Sequence, residues 1–300
     1  MSFSSSVKEE LCKTPVCDKC CAGAEAYGIL LYGNTFDFRA VRIITGNPGF
    51  AKRIPKIFKH AFDIEFDSVP SAPGSGKRVF AISDRSKISA VFDAFGYDTG
   101  NTLAHHINFG VLENACCKKS FVRGAFLAGG SVADPEKRYH LEFVTDHMSV
   151  SREAYSLLLE MDFFPKDTAR AGNYITYFKQ SEEIEDLLTS IGAPLSAMKI
   201  MSAKVEKDMR NTVNRRVNCD SANADKVVMA AARQLDVIKR IERGAGIGNL
   251  PDKLREAALL RIANPEASLE EMALLSDPPV SKSCLNHRLR KLATYSDGDI

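Results

Sequence analysis

The sequence contains one internal repeat, which limits the possible folds more than any other feature. The stretch CCAGAEAYGILLYGN at residues 20–34 matches CCKKSFVRGAFLAGG at residues 116–130, with an offset of 96 residues. The Cys-Cys pair and both glycines of the two stretches coincide at this single offset. Self-similarity of this kind indicates an internal duplication. We therefore predict that residues 1–96 and 97–192 are two related halves.

The repeated glycines lie inside apolar stretches that otherwise favour helix. They are Gly28 and Gly33 in the first copy and Gly124 and Gly129 in the second. Glycine in a helix interior costs about 1 kcal/mol relative to alanine, so these positions need a physical reason. Because glycine has no side chain, a second backbone is able to approach closely. We predict that the two helices pack through these glycines at a pseudo-two-fold axis; a coincidental pair of weak helices is the alternative.

Each repeat helix is followed by strand-like and helix-like stretches in a similar order. The first half continues with TFDFRAVRIIT (strands), PGFAKRIPKIFKHAFD (helix), KRVFAIS (strand) and SKISAVFDAFG (helix). The second half continues with RYHLEFVTD (strand), MSVSREAYSLLLEMD (helix), NYITYFK (strand) and SEEIEDLLTSIG (helix). In RYHLEFVTD, Tyr139, Leu141 and Phe143 alternate with polar residues, as in a strand with one buried face. We predict the α+β class, with the sheets of the two halves forming one saddle.

Positive charge is concentrated in the C-terminal third. The formal net charge is +2, but residues 1–192 carry 22 Lys+Arg against 24 Asp+Glu and residues 193–300 carry 18 against 14. This difference indicates a polyanionic partner, with an ordinary solvated surface as an equal alternative. We predict a basic linker, helical or partly flexible, at residues 193–220. Its candidate DNA-binding residues, which either contact phosphates or lie on a solvated face, are Arg210, Arg215 and Arg216.

Residues 221–296 are predicted to form an all-α domain of four helices. The first, ADKVVMAAARQLDVIKRIER, carries apolar residues at helical spacing and ends at Gly244. These apolar residues are Val228, Ala231, Leu235, Ile238 and Ile241. The second helix is LPDKLREAALLRIA. Ser268 and Glu271 predict a capping box at the start of the third, and the sequence DPP predicts a turn after it.

The fourth helix, KSCLNHRLRKLAT, is predicted to be the recognition helix of a helix-turn-helix that Ser281 caps. Leu285, Leu289 and Leu292 repeat at i, i+4 and i+7, so they are expected to face the core. Between Ser281 and Tyr295 there are four Lys+Arg and no acid. The major groove of DNA admits one such helix, and an amphipathic helix with a basic solvent face is the alternative. The candidate DNA-binding residues are Lys282, Ser283, Asn286, His287, Arg288, Arg290 and Lys291.

The two repeat helices resemble the motif of the LAGLIDADG homing endonucleases. That motif is a helix with glycine at its third position, an acid at its eighth and glycine at its ninth. The copies here are AYGILLYGN and VRGAFLAGG, and their eighth position is glycine, Gly33 and Gly129. In the nucleases these acids hold a divalent metal ion between the scissile strands, so the resemblance implies the fold without the chemistry. Asp37 and Asp134, a few residues beyond, are the remaining candidates for substitute acids.

The chain as a whole resembles the WhiA family of bacterial sporulation and cell-division transcription regulators. The most specific stretches are FVRGAFLAGGSVADP, RNTVNRRVNCDSANADK, LPDKLREAALLRI and ASLEEMALLSDPPVSKSCLNHRLRKL. The resemblance implies a degenerate LAGLIDADG domain, a linker and a C-terminal helix-turn-helix similar to the promoter-binding region of sigma factors. It also implies sequence-specific binding to double-stranded promoter DNA, with the nuclease-like domain kept as a scaffold. RNA polymerase or another regulator is considered as a further partner.

A Cys-Cys pair begins each repeat helix. The pairs are Cys20 with Cys21 and Cys116 with Cys117. If the helices pair side by side, four sulfurs come near one another, with Cys12 and Cys17 close by, and thiolates select zinc or iron–sulfur clusters. Neither a paired C-x₂-C signature nor a ferredoxin spacing occurs, so we favour buried, inert thiols and predict no metal and no cofactor. His105, His106 and His147 have no partner at ligand spacing and are assigned structural roles.

The N-terminal sequence MSFSSSVKEELCK lacks the apolar segment of a signal peptide, and Ser6 with Glu9 predicts a helix capping box. No apolar run approaches the roughly 20 residues that a membrane span requires. We expect a cytoplasmic, nucleoid-associated protein with reduced cysteines and no membrane contact.

Three functions from different classes are compatible with these features. The favoured hypothesis is a DNA-binding transcription regulator without enzymatic activity. A metal-dependent nuclease is the second, and the glycines at the eighth position of both copies argue against it. An interaction scaffold that binds a protein or small ligand on the saddle is the third, but it leaves the basic last helix without a role.

Overall fold

The structure is a computed structural model that divides into two compact units, Met1–Asp208 and Met209–Ile300. It describes residues 2–16, 18–70, 76–97 and 105–296. Cys17, which was expected close to the other cysteines, lies outside the described residues. In the described part of the chain, no helix combines the length and the apolar character needed to span a bilayer.

The first unit has the duplicated α+β architecture that the sequence predicts. Its first half contains α1 (Phe3–Leu11), α2 (Lys19–Leu31), β1 (Thr35–Phe36), β2 (Val41–Thr45), α3 (Pro48–Phe62), β3 (Arg78–Ile82) and α4 (Arg85–Ala94). Its second half contains α5 (Ala115–Gly129), β4 (Gly130–Val132), β5 (Leu141–Thr145), α6 (Met148–Glu160), β6 (Lys166–Arg170), β7 (Asn173–Phe178) and α7 (Ser181–Ile191). From α2 and from α5 onward the elements follow the same order, and only β6 is additional. The α+β class is confirmed.

A buried turn is repeated along with the helices and strands. Thr45 Oγ1 accepts a hydrogen bond from the Asn47 amide (3.0 Å), and Thr145 Oγ1 accepts one from the His147 amide (3.2 Å). Both threonines are buried and end a strand just before α3 or α6. Such a bond satisfies a backbone amide where the chain leaves the sheet. The duplication therefore extends beyond the glycine-bearing helices.

Each half contributes its own antiparallel sheet, with the strand orders β1-β2-β3 and β4-β5-β7-β6. In β5, Leu141, Phe143 and Thr145 are buried and the residues between them are partly exposed, which confirms the predicted alternation. Strand β6 was not predicted, because its sequence KDTAR has no apolar residue pattern and every residue in it is exposed. It is held by its antiparallel pairing with β7.

Helices α2 and α5 lie with their backbones in contact. An added Cβ on Gly28 would lie 2.2 Å from the carbonyl oxygen of Phe121, and one on Gly124 would lie 2.0 Å from that of Glu25. Phe121 is the repeat equivalent of Glu25, as Gly124 is of Gly28, so the two contacts are related by the pseudo-two-fold axis. No side chain fits at either position, which is the reason that both helices carry glycine there.

The other two repeated glycines have different surroundings. A Cβ on Gly129 would meet the carbonyl oxygen of Val144 at 2.6 Å and the Tyr32 ring at 2.9 Å, so this glycine lies between its own sheet and the first half. For Gly33, the three nearest atoms belong to Ile29 and Leu30 of its own helix, the closest at 2.7 Å. The prediction that Gly33 serves helix-to-helix packing is therefore wrong. Glycine is required at position 33 because a side chain there would overlap the Ile29 carbonyl oxygen at the C-terminal end of α2.

A buried ion network crosses the interface between the halves. The Glu25 carboxylate on α2 is only 2% exposed and accepts two bonds from Arg53 on α3, Nε to Oε1 at 2.5 Å and Nη2 to Oε2 at 2.9 Å. Arg123 Nη1 on α5 lies 3.1 Å from Oε2 of the same carboxylate. The arginines also donate to the carbonyls of Thr14 and Ile191, each at 2.6 Å. All three charges are thus paired inside the unit, as buried charges must be.

Helix α1 begins earlier than the capping-box pattern predicts. Ser2 is the N-cap, and its Oγ accepts a hydrogen bond from the Ser5 amide at 3.2 Å. Glu9 does not reach back to Ser6; its Oε1 accepts a bond from the Gly49 amide (2.8 Å) in the first turn of α3. The predicted box is wrong because this carboxylate is used to satisfy the N-terminus of a different helix.

The helices of the C-terminal part are α8 (Pro194–Arg243), α9 (Asp252–Ala263), α10 (Leu269–Leu275) and α11 (Lys282–Ser296). Helix α8 has 50 residues, and it merges the predicted linker with the first predicted helix of the C-terminal domain. No glycine or proline occurs between Leu195 and Arg243, so nothing in the sequence interrupts the helix. Of the apolar residues at helical spacing, Ile238 and Ile241 near its end are buried, whereas Val228 is 63% exposed.

The glycine contact predicts opposite effects of alanine at two positions of the same helix pair. Gly124→Ala should lower the free energy of unfolding by about 1–3 kcal/mol or more, because the new Cβ overlaps the α2 backbone. Gly23→Ala on α2 is the control, since no atom lies within 4 Å of a Cβ built there. It should leave stability unchanged or raise it by up to about 1 kcal/mol through helix propensity. Thermal and urea unfolding of the full chain measure both; equal midpoints would contradict the backbone contact.

Two histidines stack where the halves meet. The rings of His105 and His147 are parallel, with centroids 4.0 Å apart, and His105 Nε2 lies 2.6 Å from the carbonyl oxygen of Phe36. Burial, and then the charge of His147, lower the pKa of His105; the contact with the Phe36 carbonyl and the charges of Asp146 and Asp37 act in the opposite direction without offsetting them. These contacts give His105 the structural role that was predicted for it.

The lowered pKa makes stability depend on pH. The unfolded chain binds a proton at this position near the ordinary histidine pKa of about 6.5, and the folded chain binds it only at lower pH. The free energy of unfolding should therefore fall as the pH drops below about 6.5, and His105→Gln should reduce this dependence. His60→Gln, at an exposed site on α3, is the control. Urea titrations between pH 7.5 and 5 test this, and an identical pH dependence in both variants would contradict it.

Candidate nucleic-acid interface

Helix α11 is amphipathic, and its position in the C-terminal domain is set by three leucines. Leu285, Leu289 and Leu292 are 0%, 3% and 1% exposed, as their spacing predicts. Ser281 caps the helix, with its Oγ accepting a hydrogen bond from the Cys284 amide at 3.2 Å. The leucines pack with Met272 of α10 in one apolar core. The opposite face of α11 is thereby turned to solvent.

Helix α10 and the turn after it complete a helix-turn-helix. The predicted capping box is present: Ser268 Oγ accepts from the Glu271 amide (3.2 Å), and Glu271 Oε2 accepts from the Ser268 amide (2.8 Å). The turn returns to the helix through a bond from the Val280 amide to the Ala273 carbonyl at 3.1 Å. Both helices therefore have defined ends, which makes the direction of α11 well determined relative to α10.

The solvent face of α11 is polar and basic. Of the seven candidate residues on this helix, the exposed ones are Lys282, Ser283, His287, Arg290 and Lys291. Asn286 is half-buried beside them. Lys282 Nζ lies 3.4 Å from Glu270, but both side chains are mostly exposed, so this pair contributes little and is easily replaced. The face therefore offers hydrogen-bond donors and positive charge without a competing fixed partner.

Arg288 does not belong to this face. Its Nη1 lies 3.0 Å from Glu256 Oε2 on α9, and its side chain is only 15% exposed. The structure places Arg288 off the exposed face, and its contact with DNA stays a prediction. Arg288 is three residues after the buried Leu285, so the two side chains lie on neighbouring parts of the helix surface. The Arg288 guanidinium therefore reaches Glu256 on α9.

A second internal arginine was missed from the sequence. Arg261 on α9 is 2% exposed; its Nε donates to Gln234 Oε1 (2.9 Å), and its Nη1 donates to the carbonyl of Ala267 (2.7 Å). Burial lowers its pKa. It joins α8, α9 and the start of α10. The signal was present in the sequence, because Arg261 continues the i, i+3, i+4, i+7 series of the buried Leu254, Ala257 and Ala258.

The three linker arginines are all exposed on α8, Arg210, Arg215 and Arg216. At about 100° per residue they are spread around the helix, roughly 120° apart. One straight duplex passing along α8 would meet one or two of them but not all three. Their exposure is compatible with phosphate contacts and also with the solvated face that was the alternative.

The positions that carry catalytic acids in the nucleases offer no carboxylate, since they are Gly33 and Gly129. The nearby acids hold backbone turns. Asp37 Oδ1 accepts from the amides of Arg39 (2.7 Å) and Ala40 (2.8 Å), and Asp134 Oδ1 accepts from that of Glu136 (3.0 Å). Each of these carboxylates is therefore oriented by its own turn.

Four cysteines meet at the N-terminal ends of α2 and α5. The sulfurs of Cys20, Cys21 and Cys117 all lie within 4.8 Å of one another, and Cys116 is hydrogen-bonded to Cys21. Burial, followed by the contact with Cys116, raises the pKa of Cys21 to about 11. Burial and the Cys20 thiol raise the pKa of Cys117 as well. Among the described residues, Cys20, Cys21 and Cys117 are the only group of three or more His, Cys, Asp and Glu side chains at metal-binding distances.

Two family models match the chain. The model described as the WhiA LAGLIDADG-like domain matches residues 118–210, and the model described as the WhiA C-terminal HTH domain matches residues 213–296. These spans correspond to the second half with the start of α8, and to the rest of α8 with the helix-turn-helix.

Curated relatives match over nearly the full length. A protein named "Probable cell division protein WhiA" from Alkaliphilus metalliredigens is 37% identical over 310 residues, covering 99% of this chain and 98% of the relative. Proteins of the same name from Ruminiclostridium cellulolyticum and Clostridium botulinum are 39% and 38% identical; these alignments cover 97% and 99% of this chain, and 96% and 98% of the relatives.

Solved structures agree on the fold. Full-length DUF199/WhiA from Thermotoga maritima aligns over 100% of both chains with a TM-score of 0.61 and 22% identity. The isolated N-terminal LAGLIDADG domain of DUF199/WhiA aligns over 64% of this chain and 92% of its own length, with a TM-score of 0.50 and 18% identity. With relatives this similar over nearly its whole length and both domain models matched, the chain belongs to the WhiA family.

Proposed function

We propose that this DNA-binding regulator is a sequence-specific transcription factor that binds promoters through α11, and that its targets are genes of sporulation and cell division. The observation that carries the proposal is the exposed basic face of α11, set opposite the buried leucines Leu285, Leu289 and Leu292. A helix of this kind enters the major groove of double-stranded DNA, where side chains distinguish base pairs by their hydrogen-bond groups. The names of the curated relatives support the assignment to cell division.

We assign sequence specificity for DNA to the solvent-exposed side chains of α11. Arg290 is the strongest candidate for base contact, because a guanidinium binds guanine O6 and N7 with two hydrogen bonds. His287 and Asn286 lie one turn toward the N-terminus, and Lys282, Ser283 and Lys291 border them. Arg210, Arg215 and Arg216 on α8 are the proposed phosphate contacts, with one or two of them meeting any single straight duplex; such contacts add affinity but no sequence preference.

The LAGLIDADG-like domain is proposed to act as a scaffold without nuclease activity. Glycine stands at the eighth position of both motif copies, so the pair of carboxylates that would hold a metal ion between two scissile strands is missing. Double-stranded promoter DNA is the principal partner, and RNA polymerase or another regulator is the proposed second partner. A protein with these contacts would be found with the nucleoid in the cytoplasm.

Substitution of Arg290 tests the recognition helix. Arg290→Ala should cost about 1–3 kcal/mol on a specific duplex, selected from random sequences with the unaltered chain, and much less on random DNA. Arg215→Ala removes the same charge and is the control; it should weaken both duplexes alike and lower the slope of log K against log salt by about 1. Anisotropy titrations of the full chain at two salt concentrations measure both effects.

Two results would contradict the recognition helix. The first is an unchanged ratio of specific to random affinity in Arg290→Ala, which would direct attention to the LAGLIDADG-like domain as the specificity element. The second is a loss of specificity in Arg215→Ala as large as that in Arg290→Ala. Thermal melting of each variant separates loss of binding from loss of folding; Leu289→Ala, which should destabilise the domain, shows the size of a folding effect.

The scaffold proposal predicts that the full chain leaves supercoiled DNA intact in the presence of Mg²⁺ or Mn²⁺. Gel electrophoresis after incubation with each ion measures nicking and linearisation. Metal-dependent nicking that co-purifies with the protein and disappears in a variant carrying both Asp37→Asn and Asp134→Asn would overturn the proposal. It would assign those two carboxylates the role of the missing acids.

A further inference from the structure

The four cysteines at the ends of α2 and α5 form a cluster that the DNA-binding role does not use. The sulfurs of Cys20, Cys21 and Cys117 lie within 4.8 Å of one another, and Cys116 contacts Cys21. Each helix contributes two of the four thiols, from its first turn. A paired C-x₂-C signature, which the sequence lacks, is not required here, because the ligands come from two separate helices.

The cluster follows the symmetry of the duplication. The thiol of Cys117 interacts with that of Cys20, and the thiol of Cys21 interacts with that of Cys116. The repeat offset of 96 residues converts the first pair into the second. The two halves therefore supply equivalent pairs of sulfurs around their common axis. Two equivalent pairs of donors about a common two-fold axis fit the geometry of a single tetrahedral ion.

Distances and access favour a metal ion over isolated thiols. Zinc–sulfur bonds of about 2.3 Å place tetrahedral ligands about 3.8 Å apart, so the sulfurs of Cys20, Cys21 and Cys117, which lie within 4.8 Å of one another, need to move by about 1 Å or less. Cys116, beside Cys21, would supply the fourth ligand. Inert cysteines are usually buried one by one among apolar atoms. Here Cys20 and Cys116 are exposed, Cys21 is half-buried and Cys117 is buried, which gives an ion a path from solvent to the cluster.

The helix N-termini partly offset the cost that burial imposes on thiolate charge at this site. Binding of Zn²⁺ displaces four thiol protons, so the occupied site carries a net charge of −2. The amides at the N-termini of α2 and α5 favour negative charge at these positions. Lys19 and Lys118 are adjacent to the cysteines in sequence, Lys119 is one residue further on, and Lys118 is paired with Glu160 at 2.8 Å. No carboxylate takes part in the cluster as the described residues define it.

We propose that Cys20, Cys21, Cys116 and Cys117 bind one thiophilic divalent cation, of the class of Zn²⁺, and that this ion clamps the two halves together at the N-terminal ends of α2 and α5. The site is independent of the proposed recognition helix, which lies in the other unit. Its role is structural, because four protein ligands leave a zinc ion no open position for a substrate.

Cobalt and zinc titrations of the full chain test the proposal. Protein purified without oxygen and freed of metal by a chelator should bind one Co²⁺ per chain, with the thiolate charge-transfer and tetrahedral ligand-field absorption of a sulfur site, and Zn²⁺ should displace it. The variant Cys20→Ser with Cys116→Ser should lose this absorption. The control carries Cys219→Ser and Cys284→Ser, two exposed cysteines outside the cluster, and should retain it.

Stability and alkylation give independent readouts. Zn²⁺ should raise the midpoint of thermal unfolding of the unaltered chain and the control but not of the cluster variant. If the cluster variant does not fold, alkylation of the unaltered chain followed by mass spectrometry still shows whether Zn²⁺ binds at the cluster. Zn²⁺ should protect the four cluster cysteines and leave Cys219 and Cys284 reactive. Binding below one ion per chain, protection of the wrong cysteines, or a Cys20–Cys117 disulfide in the anaerobically isolated protein would overturn the proposal.

Discussion

The contact between the backbones of α2 and α5 is the interaction on which the N-terminal unit depends. Gly28 and Gly124 allow each helix to approach a carbonyl oxygen of the other so closely that no side chain fits between them. Because the two contacts are equivalent, they define the pseudo-two-fold axis. Each half then carries its own sheet, and the N-termini of both helices, with their cysteine pairs, come to the same end of the interface.

Close packing of two apolar helices leaves little room for polar groups, yet a charge network lies beside this contact. Glu25 accepts hydrogen bonds from Arg53 of its own half and from Arg123 of the other half. Removal of Glu25 would leave two buried guanidinium groups without a carboxylate, and breaking a buried pair in this way typically costs about 3–5 kcal/mol. The network therefore ties the register of the helix pair to the position of α3, and it links the two halves by charge as well as by packing.

In the C-terminal domain, three arginines that all lie on amphipathic helices have three different roles. Arg261 is buried and joins helices, Arg288 is paired with Glu256, and Arg290 is exposed on the proposed DNA-binding face. The two internal arginines hold α9 against its neighbours, and the leucines of α11 hold that helix in the same core. The outward face of α11 is thus presented by a supported helix, which reduces the entropy lost when DNA is bound.

Periodicity and repetition in the sequence determined the duplicated α+β unit, the boundaries of most helices, the inward leucines of α11 and the capping box at Ser268. These features depend on neighbours in sequence, so local patterns reveal them. Strand β6, the internal pairing of Arg288 and the capping of α3 by Glu9 were decided by tertiary structure. From the sequence, the four cysteine sulfurs were expected to come together only if α2 and α5 packed side by side, and the tertiary structure decided that. Such features depend on groups brought together from distant parts of the chain, and spacing along the sequence does not encode that distance.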